Sequence, residues 1–444
     1  MRVIIIGAGK IGFNVAKILV EQGHDIVMIE QSEERASVLQ EHLDIQVVIG
    51  NGGSPDLLLS AGIKEANLLV AVTEVDEINM LACITAKKYG VEKTVARVRN
   101  YEYVYEDNEK SVFNEIDLII NPELVTAREI AKRIDVPEAL DVLYFGDGNI
   151  QLLELKIIEG VHTAGKCLKD LNIPYPFIIA AIKRDGDMLI PHGDDKLLAN
   201  DIIFILAKTK DMPKIERQLG TERKKAERVM ILGGGFTGYH LARILEERSY
   251  NVKIVEKEHQ RCVTLSHQLN DTLVLHGDGA DLDLLKAEGA GNADVFVCLT
   301  DDDKLNLLVS LIVKHLGAKK AIAQVRRSDY ITLMESVGID IGISPRTLTA
   351  NAILRFINRG SNVVSVTLIS EERAEMIEVL VSPQSKIVNT KLKDLNFPKG
   401  AIIGTVYRNH KMIIPKGEDT LKPGDVVTVF SRPKFSARVV DYFV

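Results

Sequence analysis

A glycine-rich turn occurs twice in this chain of 444 residues. The stretch Val3–Gly12 reads V-I-I-I-G-A-G-K-I-G, and Val229–Gly238, which begins 226 positions later, reads V-M-I-L-G-G-G-F-T-G. Over 17 aligned positions from Val3 and Val229, 8 residues are identical. An apolar run followed by G-x-G-x-x-G is typical of the turn between a first strand and a first helix, where backbone N–H groups can bind a pyrophosphate. The repetition predicts that the whole chain is a duplication.

Further landmarks follow both turns in the same order. The second apolar strand of each half ends in an acid, Glu30 or Glu256. The later matches are Gly50–Leu58 with Gly277–Leu285, Leu69–Thr73 with Phe296–Thr300, Asp76 and Asn79 with Asp303 and Asn306, and Val95–Arg99 with Ile322–Arg326. Short apolar runs that alternate with amphipathic helical stretches predict βαβ units and a parallel sheet in each half.

The second part of each half has a different pattern, with short strands separated by turn residues. The pentapeptide L-K-D-L-N occurs at Leu168–Asn172 and at Leu392–Asn396, and P-x-G-x-D occurs at Pro191–Asp195 and at Pro415–Asp419. We predict a hairpin in each copy, with turns at residues 184–187 and 408–410.

The predicted fold class is therefore α/β, with two Rossmann-like parallel-sheet domains, each followed by a small α+β domain. The predicted bounds are 1–135 and 136–219 for the first pair of domains, 220–227 for a charged linker, and 228–358 and 359–444 for the second pair.

Composition restricts the function classes. The net charge of −7 argues against a nucleic-acid-binding protein, since such proteins present a basic face. The four cysteines are scattered without metal-ligand spacing, so we expect reduced, mostly buried thiols and no metal site. No apolar run reaches the ~20 residues of a membrane span, and no signal peptide is evident at the start. We expect a cytoplasmic protein that would act at a membrane only through a partner.

The spacing of the acids predicts the kind of nucleotide. Glu30 and Glu256 each lie 18 residues beyond the third glycine of their turn. A carboxylate there can accept hydrogen bonds from a ribose diol and would repel a 2′-phosphate. The pattern favours NAD(H) or an adenine nucleotide such as ATP or ADP over NADP(H).

Other candidate residues lie at the predicted ends of later strands. Thr73 and Thr300 follow the fourth strands, and Arg97 and Arg99 end the fifth strand of the first half and could offset phosphate charge. The second half has Gln324 in place of Arg97, so the two sites are expected to differ in affinity or in ligand. The spacing of Asp76 and Asn79 at a helix start is equally explained by helix capping.

No catalytic set accompanies these residues. The histidines lack the spacing of a metalloenzyme, and no Ser/His/Asp or Cys/His arrangement stands out. A nucleotide site without catalytic residues predicts a sensor. Two other classes remain open: an NAD-dependent oxidoreductase, which would share the first domain, and an NADH-sensing transcription regulator, for which no helix-turn-helix segment is found.

The succession of motifs resembles the TrkA family of Trk-system potassium-uptake regulatory proteins, in which two RCK (KTN) units are fused in tandem. The resemblance is carried by V-I-I-I-G-A-G-K-I-G, Glu30, A-V-T-E-V-D-E-I-N-M at Ala71–Met80, V-A-R-V-R, and the two repeated motifs of the small domains. Asn51 departs from it, since the family commonly has Asp there and the second half has Asp278. The motifs and the resemblance together predict a set of cofactor-binding residues: Gly7, Ala8, Gly9, Lys10, Ile11, Gly12, Glu30, Asn51, Thr73, Glu74, Arg97, Val98, Arg99, Gly233, Gly234, Gly235, Phe236, Thr237, Gly238, Glu256, Asp278 and Thr300.

The resemblance also implies partners. Members of this family form a ring beneath a membrane potassium channel or transporter subunit of the Trk type and gate it in response to nucleotides. It implies a homo-oligomer, a tetramer or a dimer, that is peripheral to the inner face of the cell membrane. The small domains are candidates for a second effector such as a cyclic dinucleotide, although their P-x-G-x-D motifs are equally explained as turns.

Overall fold

The structure is a computed structural model, and it describes most of the chain. The described residues are 1–100, 103, 115–134, 141–145, 149–185, 187–220, 226–327, 329–357, 363–369, 374–398, 400–408, 411–432 and 435–443.

The first parallel-sheet domain alternates strands with helices. Its strands are β1 (Arg2–Ile6), β2 (Asp25–Glu30), β3 (Gln46–Ile49), β4 (Leu68–Ala71), β5 (Lys93–Arg97) and β6 (Leu118–Ile120), and its helices are α1 (Lys10–Glu21), α2 (Glu33–His42), α3 (Pro55–Ser60), α4 (Asp76–Lys88) and α5 (Pro122–Ile134). All neighbouring strands are parallel, in the order β3-β2-β1-β4-β5-β6. In this doubly wound order, the carboxyl ends of β1 and β4 lie side by side at the switch point, where open sheets bind ligands.

A small domain with an antiparallel sheet follows. It contains β7 (Asp141–Phe145), β8 (Ile150–Lys156), β9 (Phe177–Arg184), β10 (Asp187–Leu189), β11 (Ile202–Lys208) and α6 (Met212–Leu219), with the strand order β10-β9-β11-β8-β7. The predicted hairpin at 184–187 is present, since β9 and β10 pair with Arg184 opposite Asp187.

The second half repeats the parallel sheet. Its strands are β12 (Arg228–Leu232), β13 (Asn251–Glu256), β14 (Leu273–His276), β15 (Val295–Cys298), β16 (Lys320–Gln324) and β17 (Ile341–Ile343), and its helices are α7 (Phe236–Glu247), α8 (His259–Gln268), α9 (Leu282–Ala287), α10 (Asp303–Leu316), α11 (Tyr330–Ser336) and α12 (Pro345–Ile357). The strand order, β14-β13-β12-β15-β16-β17, is that of the first domain.

The second small domain also repeats the first. It contains β18 (Val363–Ile369), β19 (Ala374–Leu380), β20 (Ala401–Arg408), β21 (Lys411–Ile413), β22 (Val426–Ser431) and α13 (Ser436–Val440), in the strand order β18-β19-β22-β20-β21. The fold class predicted from the sequence is therefore confirmed. Residues 409 and 410 of the second predicted turn lie outside the described residues, as do 221–225 of the linker and the residues at the predicted boundaries near 136 and 359.

Burial explains why the central strands are uninterrupted apolar runs. In β1, Val3 to Ile6 are all at most 1% exposed, because helices cover both faces of the parallel sheet. The helices, by contrast, bury only one face: Val15, Ala16 and Leu19 form the buried face of α1.

The same arginine–aspartate pair stabilises both small domains. The guanidinium of Arg184 donates two hydrogen bonds of 2.8 Å to the carboxylate of Asp201, which also accepts from the backbone N–H of Leu198. Arg408 and Asp425 repeat the fork at 2.7 and 2.6 Å. Such forked pairs are stronger than single charged contacts because both oxygens of the carboxylate are bound.

The four domains group into two compact units. One unit contains the two parallel-sheet domains, Met1–Ala131 with Glu227–Ile357, and the other contains Lys132–Ala226 with Asn358–Val444. Within the first unit, Ala350, Ile353 and Ile357 of α12 share one buried cluster with Val15 and Leu19 of α1. The last helix of the second parallel-sheet domain therefore packs on the first helix of the first domain, a pairing that the repeat pattern alone did not reveal.

Cysteine chemistry follows burial. Cys83, Cys262 and Cys298 are buried, Cys167 is half-buried, and none forms a disulfide. Burial raises the pKa of the Cys298 thiol to about 12, so this thiol stays protonated at neutral pH and packs as a small apolar group.

Among the described residues, no helix has both the length and the apolar character needed to cross a bilayer.

The contact between α12 and α1 gives a first prediction. Replacing Ile353 with alanine leaves a cavity between the two parallel-sheet domains, and we expect a loss of about 2–5 kcal/mol in the free energy of unfolding. The measurement is urea denaturation followed by circular dichroism, with hydrogen exchange of peptides from α1. Ile158→Ala is the matched control, because that side chain is 55% exposed. Equal stability of the two variants, with unchanged protection of α1, would contradict the packing.

Candidate nucleotide-binding sites

In the first glycine turn, two of the three glycines lie too close to neighbouring backbone for any side chain, and the third faces open space. Gly7 has a φ of +100°, and a Cβ there would lie 3.1 Å from the backbone nitrogen of Thr73. A Cβ on Gly12 would lie 2.0 Å from the carbonyl oxygen of Gly7, so only glycine lets α1 start this close to β1. By contrast, a Cβ on Gly9 would meet nothing within 4 Å. The space beside Gly9, at the N-terminus of α1, is where a phosphate group would fit.

The second turn has the same geometry. Gly233 has a φ of +102°, and a Cβ on Gly238 would lie 2.1 Å from the carbonyl oxygen of Gly233. A Cβ on Gly235 would again meet nothing within 4 Å. The two turns therefore offer the same open space beside a helix N-terminus.

The predicted ribose-binding acids hold these turns in place. Glu30 is 7% exposed; its Oε2 accepts a 2.6 Å hydrogen bond from the backbone N–H of Ala8, and its Oε1 accepts one of 2.9 Å from Ser32. Glu256 accepts in the same way from Gly234 at 2.7 Å and Glu258 at 2.8 Å. Each carboxylate oxygen can accept more than one hydrogen bond, so capacity for ribose hydroxyls remains.

A buried asparagine joins the ends of the fourth and fifth strands. Oδ1 of Asn79 accepts from the backbone N–H and the hydroxyl of Thr73 at 2.9 and 2.7 Å, and its Nδ2 donates to the carbonyls of Thr73 and Arg97 at 3.1 and 2.8 Å. Asn306 makes the equivalent four bonds with Thr300 and Gln324. Helix capping, the alternative left open by the sequence, is not the role of these two asparagines.

The neighbouring aspartates fix the chain after the fifth strand. Oδ2 of Asp76 accepts from the backbone N–H groups of Arg99 and Asn100 at 2.8 and 2.7 Å. Asp303 accepts from the N–H of Arg326 at 3.0 and 3.1 Å. These carboxylates order the backbone at the edge of the crevice.

The remaining predicted residues differ in how far they are exposed. Lys10, Glu74 and Phe236 are exposed, whereas Ile11 packs against the core beneath α1. The side chain of Val98 is fully buried in the core, and its backbone N–H donates a 2.9 Å hydrogen bond to the carbonyl of Ile120.

The residues after the third strands bind mainly to their own loops. Oδ1 of Asn51 accepts from the N–H of Gly53 at 2.9 Å. Asp278 accepts from the N–H of Ala280 at 3.0 Å and from Lys257 Nζ at 2.9 Å. The backbone N–H of Ala280 and, after it, the ammonium group of Lys257 lower the pKa of Asp278, which is therefore ionised at neutral pH.

An arginine that the sequence reasoning missed lies over the second turn. Nε of Arg261 donates a 2.8 Å hydrogen bond to the carbonyl of Gly234, and its guanidinium lies 4.9 Å from the ring centre of Phe236. Arg35, the equivalent residue, lines a pocket beside the first turn together with Ala8, Phe13, Glu34, Val38 and Leu39. A detectable signal was present, because both arginines stand five residues after the predicted ribose-binding acid.

Comparison with protein families covers most of the chain. The TrkA-N domain family matches residues 3–122 and 229–345, and the TrkA-C domain family matches residues 152–220 and 376–443. The matches alternate in the order predicted from the repeats.

Two similar proteins are both named as Trk system potassium uptake proteins. The chain is 39% identical over 439 residues to Trk system potassium uptake protein TrkA homolog 2 of Methanosarcina mazei. The aligned residues cover 97% of each of the two chains. It is 34% identical to the TrkA protein of Vibrio alginolyticus, over 97% of this chain and 95% of that one. These proteins are named for potassium uptake and not for an enzymatic reaction, in agreement with the prediction of a non-enzymatic protein.

A solved structure supports the fold. The GsuK channel bound to NAD superposes with a TM-score of 0.64 at 17% identity, covering 100% of this chain and 78% of that one. At this identity the likeness concerns the fold alone. The family matches and the two relatives make the assignment: the chain belongs to the TrkA family of Trk-system potassium uptake proteins.

Proposed function

We propose that this protein is the nucleotide-sensing regulatory subunit of a membrane potassium-uptake system of the Trk type. In this proposal each parallel-sheet domain binds NAD(H) or an adenine nucleotide, and binding gates the membrane subunit. The family supports the role in potassium uptake, and the two glycine turns support the nucleotide.

The observation that supports the ligand is the carboxylate hydrogen-bonded to each glycine turn, that of Glu30 in the first half and that of Glu256 in the second. Glu30 and Glu256 lie at the ends of the second strands, where ribose hydroxyls would donate to them, while the open spaces at Gly9 and Gly235 take the phosphates. The negative charge disfavours a 2′-phosphate, so NAD(H), ADP and ATP fit better than NADP(H). The GsuK channel, which shares the fold, is described as bound to NAD.

The position of α1 suggests how binding is transmitted. Its N-terminus would contact the phosphates, and its buried face packs against α12 of the other parallel-sheet domain. A nucleotide that binds one arrangement of the two domains better than another shifts the equilibrium by that difference, typically about 1–3 kcal/mol. Chains assembled as a tetrameric or dimeric ring at the inner membrane face would pass this shift to the membrane subunit.

An oxidoreductase is the rival function. It would reduce or oxidise the nicotinamide during turnover with a small substrate, whereas a sensor binds and releases the nucleotide unchanged. The family and the names of the relatives favour the sensor.

The binding claim predicts the behaviour of two glycine variants. Gly9→Ala and Gly235→Ala add a methyl group where nothing lies within 4 Å, so both variants fold while the phosphate space is filled. Calorimetric titration with NADH should show two sites per chain in the wild type and one in each variant. The double variant should bind at least about ten-fold more weakly, as expected when a charged hydrogen bond is lost.

Gly193→Ala is the matched control, because its Cβ would meet only the Cβ of Lys169 at 3.5 Å, which is an ordinary contact. Unaltered two-site binding in Gly9→Ala would contradict the assignment of the first site. Absence of binding by every nucleotide to the wild type would overturn the sensor itself.

Gating is tested by ion flux. Vesicles that contain the Trk membrane subunit and this protein should take up ⁸⁶Rb⁺ at a rate that NADH, ADP or ATP changes by about 5–150-fold, the range of ordinary coupling free energies. The Gly9→Ala/Gly235→Ala double variant should bind the membrane subunit and leave the rate insensitive to nucleotides. A nucleotide response retained by the double variant would contradict the mechanism, and steady turnover of NADH would favour the oxidoreductase.

A further inference from the structure

Two exposed histidines contact each other at the edge of the second parallel sheet. His259 is the first residue of α8, and His276 is the last residue of β14. Their ring centres lie 5.2 Å apart, and their ring planes are nearly perpendicular, at 88°. The two residues are 17 positions apart in the chain, so the spacing of the histidines, from which no metal site was expected, does not reveal this contact.

A backbone carbonyl holds one of the two rings. Nε2 of His276 lies 3.1 Å from the carbonyl oxygen of Lys257. A carbonyl only accepts hydrogen bonds, so Nε2 carries the proton of the neutral ring and Nδ1 keeps its lone pair. Metal-binding histidines commonly donate their second N–H to a carbonyl in this way, which fixes the tautomer and the orientation of the ring. His276 therefore has the arrangement of a metal ligand.

The separation of the two rings fits the coordination of one ion. An imidazole nitrogen lies ~2.0–2.1 Å from a zinc ion, so two imidazoles on a tetrahedral ion have ring centres about 5 Å apart. His259 and His276 have this separation. Because His259 is exposed, packing does not oppose a rotation about its side-chain bonds that turns a nitrogen towards the ion.

The cations next to the pair are engaged elsewhere. The ammonium group of Lys257 forms an ion pair with Asp278 at 2.9 Å, which offsets its positive charge. The guanidinium of Arg261 is bonded to the carbonyl of Gly234. Among the described residues, no three His, Cys, Asp or Glu side chains are grouped to hold a metal ion, so a site here has two protein ligands and water completes the coordination.

The pair is a feature of the second half. In the repeat, β3 ends in Ile49 where β14 ends in His276, and both residues lie opposite the acid of the neighbouring strand. Similarly, α2 starts at Glu33 where α8 starts at His259. The first half therefore has no imidazole at either place, and its residues show which side chains this fold tolerates there.

We propose that His259 and His276 bind one divalent transition-metal ion of borderline softness, such as Zn²⁺, Ni²⁺ or Cu²⁺. Imidazole nitrogen suits these ions, whereas Mg²⁺ and Ca²⁺ prefer oxygen ligands. The ion links the start of α8 to the end of β14. On α8, Leu265 packs so closely on the second glycine turn that a Cβ on Gly234 would lie 2.4 Å from its Cδ1. The site goes beyond the proposed function, because it requires no nucleotide.

Calorimetric titration of the metal-free full-length protein with Zn²⁺ tests the site. We expect His276→Ile and His259→Gln each to weaken binding at least about ten-fold, because a second ligand that the fold holds in place is far more effective than one from solution. X-ray absorption of the protein loaded with one Zn²⁺ per chain should show two imidazole ligands in the wild type. Isoleucine is chosen because it is the residue at the end of β3.

His42→Gln is the matched control. His42 is also exposed, and its Nδ1 lies 2.8 Å from the carbonyl oxygen of Val38, so it reproduces the single anchored histidine without the pair. This variant should bind Zn²⁺ as the wild type does. An equal loss in the control and in the pair variants would mean adventitious surface binding only and would overturn the site.

Hydrogen exchange gives a second readout, because an ion that binds only the folded pair stabilises the elements it joins. Amides of α8 should exchange more slowly with Zn²⁺ in the wild type and show no change in His276→Ile. Zn²⁺ binding that is absent, or that is unaffected by both substitutions, would contradict the proposal while leaving the nucleotide sensor intact. If His276→Ile does not fold, His259→Gln and the number of imidazole ligands still decide the question.

Discussion

The hydrogen bond from each glycine turn to the carboxylate at the end of the second strand is the interaction on which both crevices depend. Glu30 ties the turn after β1 to the loop after β2, and Glu256 does the same in the second half. With the turn fixed, Gly12 can pack against the carbonyl of Gly7, and the space beside Gly9 at the start of α1 stays open. A charge that organises the empty site and then accepts ribose hydroxyls does so without further reorganisation, which favours binding.

Duplication copies this arrangement and then allows it to diverge. The asparagine that joins the fourth and fifth strands keeps all four of its hydrogen bonds in both halves. The side chain at the end of the fifth strand differs between the halves: it is Arg97 in the first and the uncharged Gln324 in the second. Because α12 of one parallel-sheet domain packs on α1 of the other, the proposed nucleotide at the first glycine turn would act on a helix that contacts both domains.

Much of the fold was predictable because local patterns carry it. Apolar runs, glycine turns and the spacing of Glu30 predicted the two parallel sheets and the repeat, and the L-K-D-L-N pentapeptide marked the small domains. Other features depend on contacts between distant residues. Neither periodicity nor spacing indicates that Ile353 packs on α1, that Asn79 binds two strand ends, or that the side chain of Val98 is buried in the core. The hydrogen bond from Nη1 of Arg97 to the carbonyl of Thr73 is likewise visible only after folding, although the presence of Gln324 at the equivalent place in the second half is visible in the sequence.

The most direct test of a ribose-reading carboxylate is the ratio of NADPH to NADH dissociation constants, measured by nicotinamide fluorescence. Wild-type protein should prefer NADH at both sites, because Glu30 and Glu256 repel a 2′-phosphate. Glu30→Gln keeps an oxygen that can accept from Ala8 and removes the charge, so the preference should fall about ten-fold at the first site only, and Glu256→Gln should do the same at the second. Equal binding of NADH and NADPH to the wild type, or a preference that survives both substitutions, would contradict the assignment of these carboxylates.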